Sequence, residues 1–252
     1  MSKTVPRAYI DGFSESLESL SDFMKQRLAE ELAKVDYSMP VADVRNALIP
    51  IMQAFVYESR GLAAQLAAEF YDGIREFELG ERMGAVAFDG YEPDAVEERV
   101  RSAVQVLVIA QDGGGETEAM AEATDQLVRQ MQSYVGYGVK TSAGNTVFDN
   151  GYRDTRRVSF ARVPRGSRTY PNGCPFCQML ASRGFVYRSE LSAGGIDPDH
   201  FHDDCRCTVV PSWGEGSVEG YDPRDYDEGY QEWLEQDHSQ HEQNVRDRKA
   251  EQ

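Results

Sequence analysis

Cys174-Pro-Phe-Cys177, twenty-four intervening residues, then His202-Asp-Asp-Cys-Arg-Cys207 is the stretch that decides how the chain is read. All four cysteines of the 252 residues fall inside it, with two of the four histidines, His200 and His202. A C-x2-C knuckle presents two thiolates on one side of a tight turn, and H-x2-C-x-C supplies further donors from one extended segment. Those short spacings at both ends are the ones Zn²⁺ sites use. Cys174, Cys177, His202, Cys205 and Cys207 are therefore five candidate ligands for the four places of a structural zinc clip. His200 is out of register with the cysteine pair and reads as a neighbour of the site or an exposed side chain.

Three other uses of these residues compete. Two disulfides would need an oxidising compartment, yet Met1 to Phe13 lacks the basic start and apolar run of a secretory leader, so reduced thiols in an intracellular chain are expected. A glutaredoxin-like redox motif should follow a buried apolar strand, whereas Ser167-Arg-Thr-Tyr-Pro-Asn-Gly173 is a polar turn. Asp199-His200-Phe-His202 looks like the start of an HNH nuclease site, but Asn244, the only later Asn, lies far off in a polar tail.

Upstream, the apolar pattern has the helical period. Leu17, Leu20, Met24, Leu28, Leu32 and Val35 share one face of a helix over residues 14–35, which the Asp36 to Pro40 segment ends. A second, longer helix is expected over 41–78, with a stripe of Val44, Leu48, Ile51, Phe55, Leu62, Leu66, Phe70, Ile74 and Phe77. Pro50 should kink or break it. Residues 80–90 read as a connection. Pro93 suits the first turn of a third helix that Asp112-Gly-Gly-Gly115 breaks, and a fourth runs over about 117–134 with Met120, Ala123, Leu127 and Met131. The glycines at 113–115 are no phosphate loop, because Glu116, Thr117 and Glu118 follow where such a loop needs Gly-Lys-Ser/Thr. From Gly136 the small and polar residues point to loops and short strands, with strands at Phe185 to Tyr187 and Thr208 to Val210 and a helical turn between Cys177 and Gly184.

The fold class is thus mainly α: an N-terminal antiparallel helical bundle (1–140), a small α+β zinc-stabilised C-terminal module (141–212) and an acidic, flexible tail (213–252). The tail carries nine acids and one base between Glu215 and Asp237, interleaved with Tyr221, Tyr226, Tyr230 and Trp233. The formal charge of −17 repels nucleic acid and anionic membranes overall. No apolar run approaches the ~18 residues a membrane span needs. Against that background Arg153, Arg156, Arg157, Arg162, Arg165 and Arg168 form one basic patch around a single acid, Asp154. It reads either as a solvated loop or as a docking surface for phosphate or an acidic protein, where the guanidinium fork pairs in two-pronged fashion.

Arg162-Val-Pro-Arg-Gly166, Cys174-Pro-Phe-Cys-Gln-Met-Leu-Ala-Ser-Arg-Gly184, Val186-Tyr187 and His202-Asp-Asp-Cys-Arg-Cys207 together resemble the phage Mu F-like head morphogenesis family, in particular minor capsid proteins of actinobacterial phages and prophages. The helical stretch with Ala67-Ala-Glu-Phe-Tyr-Asp72 is similar to the N-terminal part of that group. The resemblance covers about residues 40–211. Pro175 in the knuckle and Asp203-Asp204 depart from the family pattern without removing a candidate ligand. The resemblance implies a low-copy, non-enzymatic virion protein at the portal vertex, acting in head assembly or DNA delivery. Its expected partners are the portal protein and other capsid components, with packaged DNA reached through the arginines. Its location would be the virion head, after assembly in the host cytoplasm. No G-x-S-x-G, no Ser/His/Asp set and no deaminase motif favours an enzyme; a nuclease or redox enzyme on the same cysteines is the competing class.

Overall fold

In the computed structural model the described residues are 3–115, 117–166, 173, 175–188, 207–228, 231 and 235. They are mainly helical. In order come α1 (Arg7–Leu32), α2 (Val41–Leu79), α3 (Pro93–Ala103), α4 (Gln105–Asp112), α5 (Thr117–Arg153), β1 (Ser159–Val163), α6 (Pro175–Ala181) and β2 (Thr208–Ser212), then a short 3-10 turn, Pro223–Tyr226. Contacts divide the chain into two compact units. One gathers 1–14, 70–85 and 147–252; the other gathers 15–69 and 86–146.

The second unit is a helical core. Met24, Leu28 and Leu32 of α1 pack in one apolar cluster with Val44, Leu48, Met52, Phe55 and Val56 of α2. Val96 and Val100 of α3, Leu107 of α4, and Leu127, Met131 and Val135 of α5 complete it. These are the three- and four-residue spacings that put side chains on one helical face. Burying a Leu, Val or Met contributes roughly 1.5–3 kcal/mol each. The connection after α2 is held here by Arg60, whose Nε donates to the Asp89 carbonyl (2.6 Å), while its terminal nitrogens reach the Gly90 carbonyl (3.2 Å) and the Thr141 hydroxyl (3.1 Å).

Three helical expectations are corrected in part. Helix α2 is not broken at Pro50; the residue is exposed and the helix is continuous through it. The expected stripe of α2 holds at Val44, Leu48, Phe55, Phe70 and Ile74, but between Phe55 and Phe70 small residues face inward in place of the leucines. Ala63, Ala64, Ala67 and Ala68 are buried, whereas Leu62, Leu66 and Phe77 are exposed. The change of character at Gly136 is not the end of α5, which continues to Arg153. Val135, Val139, Ala143 and Val147 extend the Leu127–Met131 stripe at four-residue steps and are all buried.

The first unit joins helical pieces to the sheet. β1 and β2 pair antiparallel, with Ser159 opposite Ser212 and Arg162 opposite Val209. Tyr187 adds a single bridge to the other side of Phe160, which is as much as the expected strand at 185–187 becomes. Around Asp154 lies a buried polar hub. Its carboxylate pairs with Arg75 (2.9 Å) and accepts from the Tyr71 hydroxyl (3.1 Å), the Trp213 indole N–H (2.9 Å) and the Arg156 amide (2.9 Å). Burial alone would push this carboxyl up, but the bonds from Arg75, the Arg156 amide and Trp213 outweigh it and hold it below its ordinary value. Asp72 fixes the start of the next connection by accepting from the amides of Met83, Gly84 and Ala85.

The acidic segment after Ser212 is anchored at a few points between 213 and 228, while Glu215, Glu219, Asp225, Asp227 and Glu228 stay exposed. Val218 bridges Val5 in parallel, and Tyr221 is buried. Tyr221, and Val218 before it, carry that anchoring; an acid count alone reads as solvated chain.

Candidate metal centre

Helix α6 carries Cys177, buried within the first unit. Gly173 precedes it with φ +90, a left-handed conformation that glycine adopts without a side-chain penalty. A Cβ there would also come within 2.9 Å of the Pro164 ring, so the chain can enter the helix this closely only without one. The Gln178 side-chain Nε2 donates to the Gly173 carbonyl at 2.8 Å and closes the turn. At the other end, helix carbonyls lacking a partner within the helix must find one. The Tyr187 hydroxyl donates to the Leu180 carbonyl (2.7 Å) and the Tyr221 hydroxyl to the Ala181 carbonyl (2.6 Å). Burial pushes the Tyr187 phenol up to about 12, and raises Tyr221 as well, so both stay protonated donors at neutral pH. Gly184, at φ +65, then turns the chain away.

Cys207 arrives from the opposite end of the motif, immediately before β2. Its Sγ lies 3.2 Å from the Sγ of Cys177. A disulfide bond is about 2.05 Å, so these two sulfurs are not bonded to each other. Two thiolates on one tetrahedral zinc, each about 2.3 Å from the metal, sit about 3.8 Å apart. A side-chain adjustment of roughly half an ångström would suit the pair to one shared ion, and two soft sulfur donors fit zinc by type. Cys174, His202 and Cys205, the other three candidates, lie outside the described residues, as does His200. Among the described residues no group of three or more metal-binding side chains comes together.

One residue belonging to this site was missed in the sequence. Arg162 on β1 is fully buried and aims its guanidinium at Cys207, with Nε 3.2 Å and a terminal nitrogen 2.7 Å from Sγ. The register explains it. Arg162 stands opposite Val209, and Cys207 is two residues before Val209, hence on the same sheet face at a diagonal a long side chain spans. Strand pairing was the signal; charge counting hid it.

That placement corrects the arginine patch. Arg162 points inward and forms no part of a docking surface. The acid in the patch, Asp154, is the buried hub and not a surface counter-charge. Arg153, in the last turn of α5, pairs with Asp149 at 2.7 Å while half its side chain stays exposed. Arg156 is exposed, 3.7 Å from Glu81. Arg157 is exposed, Arg165 is half-buried, and Arg168 lies outside the described residues.

No helix among the described residues is long and apolar enough to cross a membrane. Compared with known families, residues 4–233 match the family model described as VG15 protein, a viral family of phages. Neither the curated proteins nor the solved structures yield a match.

Proposed function

This chain belongs to the VG15 protein family and is a phage protein, and we propose that it is a minor capsid protein of the Mu F-like head morphogenesis kind. In this reading it is a low-copy, non-enzymatic component of the virion head, associated with the portal vertex and acting in head assembly or DNA delivery. Its C-terminal part is clipped by one structural zinc. The observation that supports it best is the convergence of Cys177 and Cys207, 3.2 Å apart across 29 intervening residues, within a chain of a phage family. Such a convergence ties together two ends of the sequence motif, which is what a structural zinc does. The exposed arginines Arg153, Arg156 and Arg157 would meet the portal protein, other capsid components or packaged DNA.

Assembly is tested directly in heads. A phage carrying a tagged copy should incorporate it into mature particles, and Cys177→Ser should lower both incorporation and infectivity. Replacing Arg156 and Arg157 with Ala should reduce incorporation without changing metal content. DNA contact would show a steep salt dependence, with a slope near −0.9 per phosphate neutralised. Absence of the tagged protein from purified heads would overturn the reading, as would metal-dependent cleavage of DNA by the purified chain.

A further inference from the structure

We propose that Arg162 is the positioning residue of the metal centre: its buried guanidinium orients the Cys207 sulfur as a ligand and offsets the negative charge of the thiolate set. The inference rests on the zinc reading above and extends it to a residue outside the ligand motif. The geometry is specific. Nε and a terminal nitrogen both converge on one sulfur, at 3.2 and 2.7 Å, from a side chain that is 0% exposed.

Taking a guanidinium fully out of water is costly unless a negative or strongly accepting group meets it. Cys207 is such a group when it is a thiolate, the form in which a cysteine binds metal. A zinc held by three thiolates and a histidine carries a net charge of −1, and one held by four carries −2. One fixed positive charge against the sulfur therefore stabilises either set. Arginine suits the task better than lysine, because it stays charged in a buried site and its planar fork presents two N–H groups to one acceptor. The backbone keeps the donor in place. Arg162 and Cys207 sit on the same face of the β1–β2 pair, so pairing of the strands brings the charge to the sulfur before any metal arrives. Groups that hold a metal ligand in orientation alter affinity by about 10–100-fold when removed.

The test uses the full reduced chain and its Arg162→Gln and Arg162→Lys variants. Zinc per chain is measured first in the wild type, then zinc affinity by competition with a chromophoric chelator. The sulfur-to-cobalt charge-transfer band is recorded after Co²⁺ replacement. Arg162→Gln should weaken zinc by about 10–100-fold and move the band to lower energy, because an N–H bond to the sulfur has been lost. Arg162→Lys should recover part of the affinity through its charge, but not the wild-type band. Binding by Arg162→Gln within twofold of wild type, with an unmoved band, would overturn the proposal. Should Arg162→Gln fail to fold, Arg162→Lys decides alone: a wild-type band in that variant overturns the proposal. A wild type without zinc fails the metal reading itself, and the role of Arg162 with it. That result is distinguishable because it is read before any variant.

Discussion

Removing the Asp154 carboxylate should be the most damaging single change in the first unit. The pair it forms with Arg75 is almost fully enclosed, with side chains 1% and 5% exposed. Asp154→Ala would leave the buried Arg75 guanidinium with only the exposed Glu81 carboxylate, 3.5 Å away, as counter-charge, and take an acceptor from Tyr71 and Trp213. Breaking a buried pair by removing one partner costs about 3–5 kcal/mol. The added loss of neutral hydrogen bonds does not sum simply with that, so about 3–5 kcal/mol is the expected total. Urea unfolding followed by tryptophan fluorescence is a suitable assay, since Trp213 bonds to the hub. The paired change Arg75→Met with Asp154→Leu should cost clearly less than the two single losses added, because no buried charge is left over. Acid should act in a defined direction. The carboxyl is held below its ordinary value in the fold, so its contribution is present above the unfolded value near 3.9 and disappears as pH falls through the lower folded value. The stability gap between wild type and Asp154→Asn should therefore persist down to about pH 4 and close only below it. A loss under about 1 kcal/mol for Asp154→Ala at neutral pH would refute the hub, since that is the scale of exposed pairs.

Two further substitutions test the packing. A Cβ at Gly151 would stand 2.3 Å from the ring of buried Phe160, so Gly151→Ala should destabilise the same fluorescence transition by roughly 1–3 kcal/mol. Pro50 is exposed inside a continuous helix, so Pro50→Ala should stabilise the chain, by up to about 3 kcal/mol in thermal or urea unfolding.

The helical core was legible because its signal is local. Met24, Leu28, Leu32, Val44 and Leu48 repeat at the period of the helix they form. The second half of α5 was misread because Gly136, Gly138 and Gly151 suggest loops, although Val139, Ala143 and Val147 continued the stripe. Gly151 answers a tertiary demand, since a Cβ there would stand 2.3 Å from the Phe160 ring; Gly136 and Gly138 sit inside the helix with the flexible end of Lys25 and the Arg60 side chain beside them. Propensity is a weak guide where such close approach is required. In the candidate metal centre, the cysteine cluster stood out by composition and spacing. Arg162 did not, because its role depends on a strand pairing between residues about 45 positions apart. Six arginines within sixteen residues look uniform in sequence, yet the register turns one of them inward. The same long-range logic applies to Tyr221, whose hydroxyl closes α6 from within a segment that reads as acidic tail.

The central claim, that the cysteine motif is a structural zinc clip, is tested most directly by elemental analysis of the freshly purified, reduced chain alongside a thiol titration. The account predicts one zinc per chain, with thiols shielded until a chelator removes the metal. Less than half an equivalent of zinc, with thiols reactive from the start, would contradict it.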